Sequence, residues 1–295
     1  MTNGIALQTY LSRIEDVRKQ IECNGAGPSI WDATANFLGR VQHRLTRPPR
    51  IAIVGEANTG KTSIANMLLG RELLITDIVN NTRAPILIRH ADTTRLFAVD
   101  ADGTRTSLSH DSVGVLRQDR FTSLELGLPL AALKAFEIID TPGVTELAED
   151  TDRMSFVCRQ ADMAIWCTLA TQAWRASERE LWSLVCERTR SSSLLAVTHA
   201  DALTATEQTR VGERLQREAG ALFSDFGMVT PVDVLAEGAA EANALADAFK
   251  RKLGLALAQV EHRRLAGARR AVQRFTERLD GRKGGFEFEP LQAAS

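Results

Sequence analysis

The chain has 295 residues, 44% hydrophobic and 25% charged, and its 36 Lys and Arg nearly balance 37 Asp and Glu for a formal net charge of -1. That composition predicts one or two ordinary globular domains, and it excludes a global field of the kind that draws in nucleic acid. Any basic partner surface has to be local. The four cysteines, Cys23, Cys158, Cys167 and Cys186, follow no paired spacing, as expected of reduced thiols in a reducing cytosol. Arg13, Glu15 and Asp16 interrupt the apolar residues of the amino terminus before a signal-peptide run develops. No stretch approaches the roughly 20 apolar residues of a membrane-spanning helix. The expectation is a cytoplasmic protein that meets a membrane, if at all, from the surface of the inner face.

Leu7, Leu11, Ile14, Val17 and Ile21 recur at helical spacing, with Arg13, Asp16 and Lys19 on other faces. Asn24-Gly25-Ala26-Gly27-Pro28-Ser29 breaks this helix, and a second helical pattern through Trp31, Phe37, Val41 and Leu45 runs to Pro48-Pro49. Residues 1–48 therefore read as a helical hairpin. From Arg50 onward, short apolar runs alternate with helical segments, the pattern of a mostly parallel sheet covered by helices. The predicted strands are 51–54, 85–88, 136–139, 164–167 and 194–198, with 96–99 and 104–108 as a hairpin about Asp102-Gly103 and a last strand at 228–234. Helices are predicted near Ser63, over 177–189 and over 207–223. Beyond Glu237, Leu253, Leu257, Val260, Leu265, Val272, Phe275 and Leu279 predict one long helix over 237–283, with a short tail at 284–295.

Gly55-Glu56-Ala57-Asn58-Thr59-Gly60-Lys61-Thr62 follows a predicted strand and opens a helix at Ser63, which is the context a phosphate-binding loop requires. Glycines let main-chain N–H groups wrap a β-phosphate, the helix amino terminus adds positive potential, and Lys61 reaches the β- and γ-phosphates. Thr62 offers its hydroxyl to Mg²⁺. The competing reading is a structural glycine turn. Asp140-Thr141-Pro142-Gly143 ends a second strand, where the Asp140 carboxylate can hold the Mg²⁺ shell and the Gly143 N–H can sense a γ-phosphate. Taken alone, it is an ordinary turn.

Thr198-His199-Ala200-Asp201 ends a third strand. A carboxylate at Asp201 accepts from the ring N–H and exocyclic amine of guanine, a pair of donors adenine lacks; the alternative is a helix cap. Thr82, within Asn80-Asn81-Thr82-Arg83-Ala84-Pro85, lies where a threonine can close over Mg²⁺ and the γ-phosphate, with Thr76 as its rival. The fold expected is α/β, a P-loop nucleoside triphosphatase with helices from both chain ends added as a bundle.

With these residues in hand, the chain resembles the dynamin superfamily of GTPases, in its bacterial dynamin-like branch. The likeness lies in Gly55-Glu56 through Gly60-Lys61-Thr62-Ser63 with Asn66, Leu68, Leu69 and Gly70; in Thr82-Arg83-Ala84-Pro85; in Leu124 to Leu126, Pro129 and Leu133 before Ile138-Ile139-Asp140-Thr141-Pro142-Gly143; and in Gln172 to Glu178. It covers about 50–236 and implies GTP or GDP with Mg²⁺ as ligands. The nucleotide-binding residues would be 55 to 63, Asp140, Gly143, Thr198, His199 and Asp201. The metal ligands would be Thr62, Thr82 and Asp140, and catalysis would rest on Thr82, Lys61 and Gly143.

The resemblance further implies a nucleotide-dependent homodimer and a helical bundle that couples nucleotide state to the rest of the molecule. The chain departs from the family in having a short helical segment in place of the long stalk and membrane-binding tip, and at two residues of the site. His199 stands where lysine is usual, and Ala57 stands where eukaryotic dynamins hold the attacking water with glutamine. The leading expectation is an enzyme that hydrolyses GTP slowly and faster as a dimer. The alternative is a slowly hydrolysing binding module that works with a larger dynamin-like or membrane-associated partner. An RNA-associated GTPase is disfavoured, because no basic, aromatic-interleaved segment is appended. Between Lys250 and Lys283, eleven Lys and Arg face three Asp and Glu, which offers a surface to anionic lipid unless the apolar stripe packs on the hairpin.

Overall fold

The computed structural model describes residues 9–12, 14–16, 18–19, 28–70, 84–108, 121–141, 148–230 and 240–280. The chain divides into two compact units, residues 48–258, and residues 1–47 together with 259–295.

The larger unit is built on a nine-stranded sheet. Its strands are β1 (Arg50–Val54), β2 (Ile86–His90), β3 (Arg95–Val99), β4 (Arg105–Leu108), β5 (Ser123–Leu128), β6 (Glu137–Asp140), β7 (Met163–Leu169), β8 (Leu194–Thr198) and β9 (Asp225–Met228), in the order β4-β3-β5-β2-β6-β1-β7-β8-β9. β6, β1, β7, β8 and β9 run parallel, whereas β2 is antiparallel to β6 and β3 is antiparallel to β4 and β5. The interiors of the central strands are apolar because helices cover both faces. Ile51 to Val54 and Met163 to Cys167 are fully buried. The helices are α2 (Lys61–Leu69), α3 (Ala148–Gln160), α4 (Ala176–Ser183), α5 (Glu187–Arg190) and α6 (Ala205–Glu218). Trp166, Trp174, Trp182 and Phe223 form an aromatic knot in the core, with Trp182 stacked on Phe223 at 4.4 Å and Trp166 edge-on to both other tryptophans.

In the second unit, α1 (Pro28–Thr46) and the end of α7 (Ala240–Asp280) pack with the helical residues near Tyr10. Tyr10, Ile14, Leu38, Leu45 and Val272 make the core, and Phe37 stacks on Phe275 at 4.5 Å. The Arg264 guanidinium donates to the Arg47 carbonyl at 2.8 Å. The apolar stripe of α7 from Leu265 to Phe275 thus packs on the hairpin.

Several boundaries depart from the sequence pattern for physical reasons. The last strand lies at 225–228 and not at 228–234, of which 231–234 fall outside the described residues. Its Asp225 and Gly227 break the apolar run, yet both are used. Asp225 pairs with Lys252 at 2.8 Å, and a Cβ at Gly227 would sit 2.8 Å from the Phe249 ring. The predicted helix 177–189 is two helices, α4 and α5, because the chain turns to bury Val185 and uses the Cys186 carbonyl to accept from Thr189 and Arg190. The helix predicted over 207–223 ends at Glu218, after which Phe223 enters the aromatic knot. β5 escaped the strand pattern because it buries Glu125 among apolar residues, held by Arg89 and by Arg105 at 2.6 Å. α3 escaped because its sequence is mostly polar.

Candidate nucleotide site

Every site residue within the described chain lies at the carboxyl end of a central strand, where an open α/β sheet leaves its crevice. β1 runs into the loop 55–60, which turns into α2 at Lys61. Two glycines make that turn possible. Gly55 has φ +149°, and a Cβ there would lie 2.5 Å from the Cys167 carbonyl oxygen and 2.9 Å from Thr59 Oγ1. Gly60 has φ +77° and sits against Thr198 and His199. Asn58, at φ 59°, takes the left-handed conformation that asparagine tolerates better than most residues. Ala57 and Asn58 are exposed at the loop tip, whereas Thr62 and Ser63 are half-buried.

The loop is held from within. Lys61 Nζ donates to the Glu56 carbonyl at 2.6 Å and to the Gly55 carbonyl at 3.1 Å, and Thr59 Oγ1 donates to the Glu56 carbonyl at 2.8 Å. Burial lowers the Lys61 pKa, against the opposing influence of Cys167 and Asp140.

Asp140 ends β6, paired with Ile53 of β1 and Ile86 of β2, and it is buried. Burial raises its carboxyl to about 6, with the Lys61 charge and the Thr141 N–H acting the other way. By strict geometry neither carboxylate oxygen makes a hydrogen bond among the described residues, the Thr141 N–H acting on the charge without closing one. The neighbouring Thr141 hydroxyl donates to the Ile53 carbonyl at 2.8 Å and holds the end of β6 to β1.

At the end of β8, Thr198 Oγ1 lies 2.9 Å from the Thr59 carbonyl and 3.1 Å from the Thr168 carbonyl. His199 adopts φ 55°, with Nδ1 at 3.2 Å from Thr198 Oγ1. Asp201 lies exposed on a single 3-10 turn, Ala200–Ala202, and makes no hydrogen bond or ion pair among the described residues. It caps no helix, since α6 is capped by Thr204, whose N–H donates to Glu207 at 2.8 Å.

The structure therefore brings together the 55–63 loop, Asp140 and Thr198 to Asp201. Thr82, Thr76 and Gly143 lie outside the described residues. The residues present suit a phosphate and a divalent cation. The loop leaves no room for a Cβ at Gly55, and a buried carboxylate without partners beside a buried ammonium is otherwise costly. Sequence reasoning missed two partners of the loop, Arg175, whose guanidinium pairs with the Glu56 carboxylate, and Ser177, whose hydroxyl donates to it at 2.8 Å. The signal available was Glu56 itself, an acid in a loop that reads as anion-binding and so in need of a cation.

The sequence pattern of the Dynamin family matches residues 51–201. Dynamin-like protein 2 of Campylobacter jejuni is 27% identical over 208 residues, which is 69% of this chain and 34% of that protein. The isoniazid-induced protein IniC of Mycobacterium tuberculosis is 33% identical over 120 residues, 38% of this chain and 24% of that protein. The chain thus spans about a third or less of the length of these curated relatives. Among solved structures, a bacterial dynamin described as an oligomerised pair that senses and tethers membranes shares the fold. The TM-score is 0.62 at 19% identity, over 84% of this chain and 41% of that one. Because the matched span runs from β1 through Asp201 and takes in just over half of the sequence, the chain belongs to the Dynamin family.

Proposed function

We propose that residues 49–236 form a GTPase domain that binds GTP with Mg²⁺, hydrolyses it and self-associates with a second copy through this domain, and that the helices of 1–48 and 237–283 couple its nucleotide state to the rest of the molecule. The observation that carries this reading is the buried, unpartnered Asp140 carboxylate within the field of Lys61, at the strand end beside the phosphate loop.

In this reading the main-chain N–H groups of 55 to 63 cradle the phosphates and Lys61 binds the β- and γ-phosphates. Thr62, Asp140 and Thr82 hold Mg²⁺, which supplies charge neutralisation at the phosphoryl group being transferred. Gly143 donates its N–H toward the γ-phosphate, and Thr82 closes over it in the transition state. Asp201 reads guanine, with the His199 ring over the base in place of a lysine stem. Calorimetry tests this directly. GTP and GDP bind, ATP binds at least about tenfold more weakly, Lys61→Ala abolishes binding, and Asp201→Asn shifts preference toward xanthosine triphosphate. ATP binding as tight as GTP, or an unchanged Lys61→Ala, overturns the reading.

Hydrolysis is slow in the monomer and rises with protein concentration, because contact across the nucleotide sites orders the Thr82 loop and excludes water. The oligomerised pair seen in the bacterial dynamin structure supports self-association here. Thr82→Ala loses most turnover and keeps binding. A specific observation favours a second reading, a slowly hydrolysing binding module that works with a larger partner. Ala57 is exposed at the loop tip and offers no polar side chain to water. Turnover per molecule that stays flat over about a hundredfold dilution decides for it. Among the described residues no helix is long and apolar enough to cross a membrane, so contact with anionic lipid would be peripheral. Sedimentation with anionic liposomes at low salt tests that contact.

A further inference from the structure

We infer that Arg175 and Ser177 are positioning residues of the phosphate loop. They hold it in its nucleotide-binding shape by gripping the Glu56 carboxylate, an inference that rests on the nucleotide reading above.

Glu56 faces two ways. Its main-chain carbonyl is the anchor of the loop, because it accepts from Lys61 Nζ at 2.6 Å and from Thr59 Oγ1 at 2.8 Å. Its side chain leaves the loop and meets the start of α4, where Ser177 Oγ in the first turn donates to Oε1 at 2.8 Å and the guanidinium of Arg175, the residue before the helix, pairs with Oε2. A carboxylate at the second position of an anion-binding loop repels the ligand unless a cation neutralises it. Arg175 supplies that cation and a fixed direction at once.

The gripping segment is itself rigid. Arg175 Nη1 donates to Gln172 Oε1 at 3.0 Å, and the Arg175 main-chain N–H donates to Glu178 at 2.8 Å. Buried Glu178 also accepts from the Thr168 hydroxyl at 3.0 Å and from the Trp166 indole at 3.1 Å, which fastens the segment to β7. Trp174 supplies the turn. It holds φ 63°, a left-handed conformation a bulky residue adopts only under constraint. Its indole is sunk edge-on to Trp166 and Phe223, and its main-chain N–H donates to Thr168 Oγ1 at 3.1 Å. The backbone that presents Arg175 is therefore set by the core, and the loop is set by Arg175.

The consequence is a preorganised loop whose apparent affinity depends on the fraction of molecules with the grip intact. The test is binding of GDP and GTP by the full chain, with melting temperature measured in parallel. Arg175→Ala leaves a bare carboxylate beside the phosphates and weakens both nucleotides alike, by about five- to tenfold. Glu56→Gln removes the grip and the repulsion together and weakens them by less than about threefold. The double variant then binds more tightly than Arg175→Ala alone, a recovery that a merely structural arginine does not produce. Arg175→Lys keeps the charge and stays within about threefold of wild type, and Ser177→Ala costs about twofold.

Wild-type affinity in Arg175→Ala, or a double variant whose losses add, overturns the inference while the nucleotide reading stands. A wild-type chain that binds neither GDP nor GTP overturns both.

Discussion

The Thr198 hydroxyl at the end of β8 lies 2.9 Å from the Thr59 carbonyl of the 55–60 loop and 3.1 Å from the Thr168 carbonyl at the end of β7, all of it buried. One hydroxyl thereby pins the turn that carries His199 and Asp201 to the loop that carries Lys61. Thr198→Val keeps the shape and removes the donor. It should lower stability by about 1–3 kcal/mol by leaving buried carbonyl oxygens short of a partner, and it should weaken GDP and GTP binding by about fivefold. Urea denaturation and calorimetry check the two effects. Loss of stability with full affinity would show that this link serves the fold alone.

Asp140 is held at a cost to the empty protein. Its folded-state pKa, about 6, lies above the ordinary carboxylate value, because burial opposes the charge. The sign follows from linkage. The protonated form fits the fold better, so this contribution is full below the unfolded pKa near 4 and is lost as pH rises through about 6. Without nucleotide or Mg²⁺, the protein should become less stable from pH 4 to pH 7 on account of this group. Asp140→Asn should raise its stability at pH 7 by on the order of 1 kcal/mol while abolishing any Mg²⁺-dependent gain in melting temperature. A less stable Asp140→Asn at pH 7 would contradict this account.

Gly55→Ala places a methyl group 2.5 Å from the Cys167 carbonyl, at a φ of +149°. Main chain on both sides must shift, so the loop loses its shape where it leaves β1. We expect a loss of about 2–3 kcal/mol in stability and of measurable nucleotide binding, whereas Gly254→Ala, inside helix α7 with open space at its Cβ, keeps binding and gains about 0.5–1 kcal/mol. Thermal melts with and without GDP distinguish the two variants.

Cys186 should be the most reactive of the described thiols. Partial burial raises its pKa, but the Thr189 hydroxyl 3.1 Å from Sγ, the Thr189 N–H and Arg188 together outweigh this and hold it below the usual value. Burial pushes Cys158 and Cys167 up to about 12. At pH 7, iodoacetamide should label Cys186 at least about tenfold faster than either, as read by peptide mass spectrometry, and Arg188→Ala should slow it. Equal labelling of Cys167 would mean that the loop end of β7 opens to solvent.

The sequence by itself determined the glycine-bounded loop after β1, the Asp140 strand end and the Thr198 to Asp201 turn. Each is written in a short contiguous stretch, an apolar strand followed by residues with special backbone or side-chain chemistry. The parallel central strands were legible for the same reason, since burial on both faces leaves unbroken apolar runs at Ile51 to Val54 and Leu194 to Val197. Only the tertiary structure decided how those pieces meet. The Ser177 hydrogen bond to Glu56 joins residues 121 positions apart, and no periodicity records it. β5 was hidden because its Glu125 is buried only by virtue of arginines on β2 and β4. β9 was misplaced because Asp225 and Gly227, which break the apolar run, answer to Lys252 and Phe249 on a distant helix. Local pattern reports which face of a segment seeks the core, whereas a charge or a glycine inside a strand becomes legible only once its partner across the fold is known.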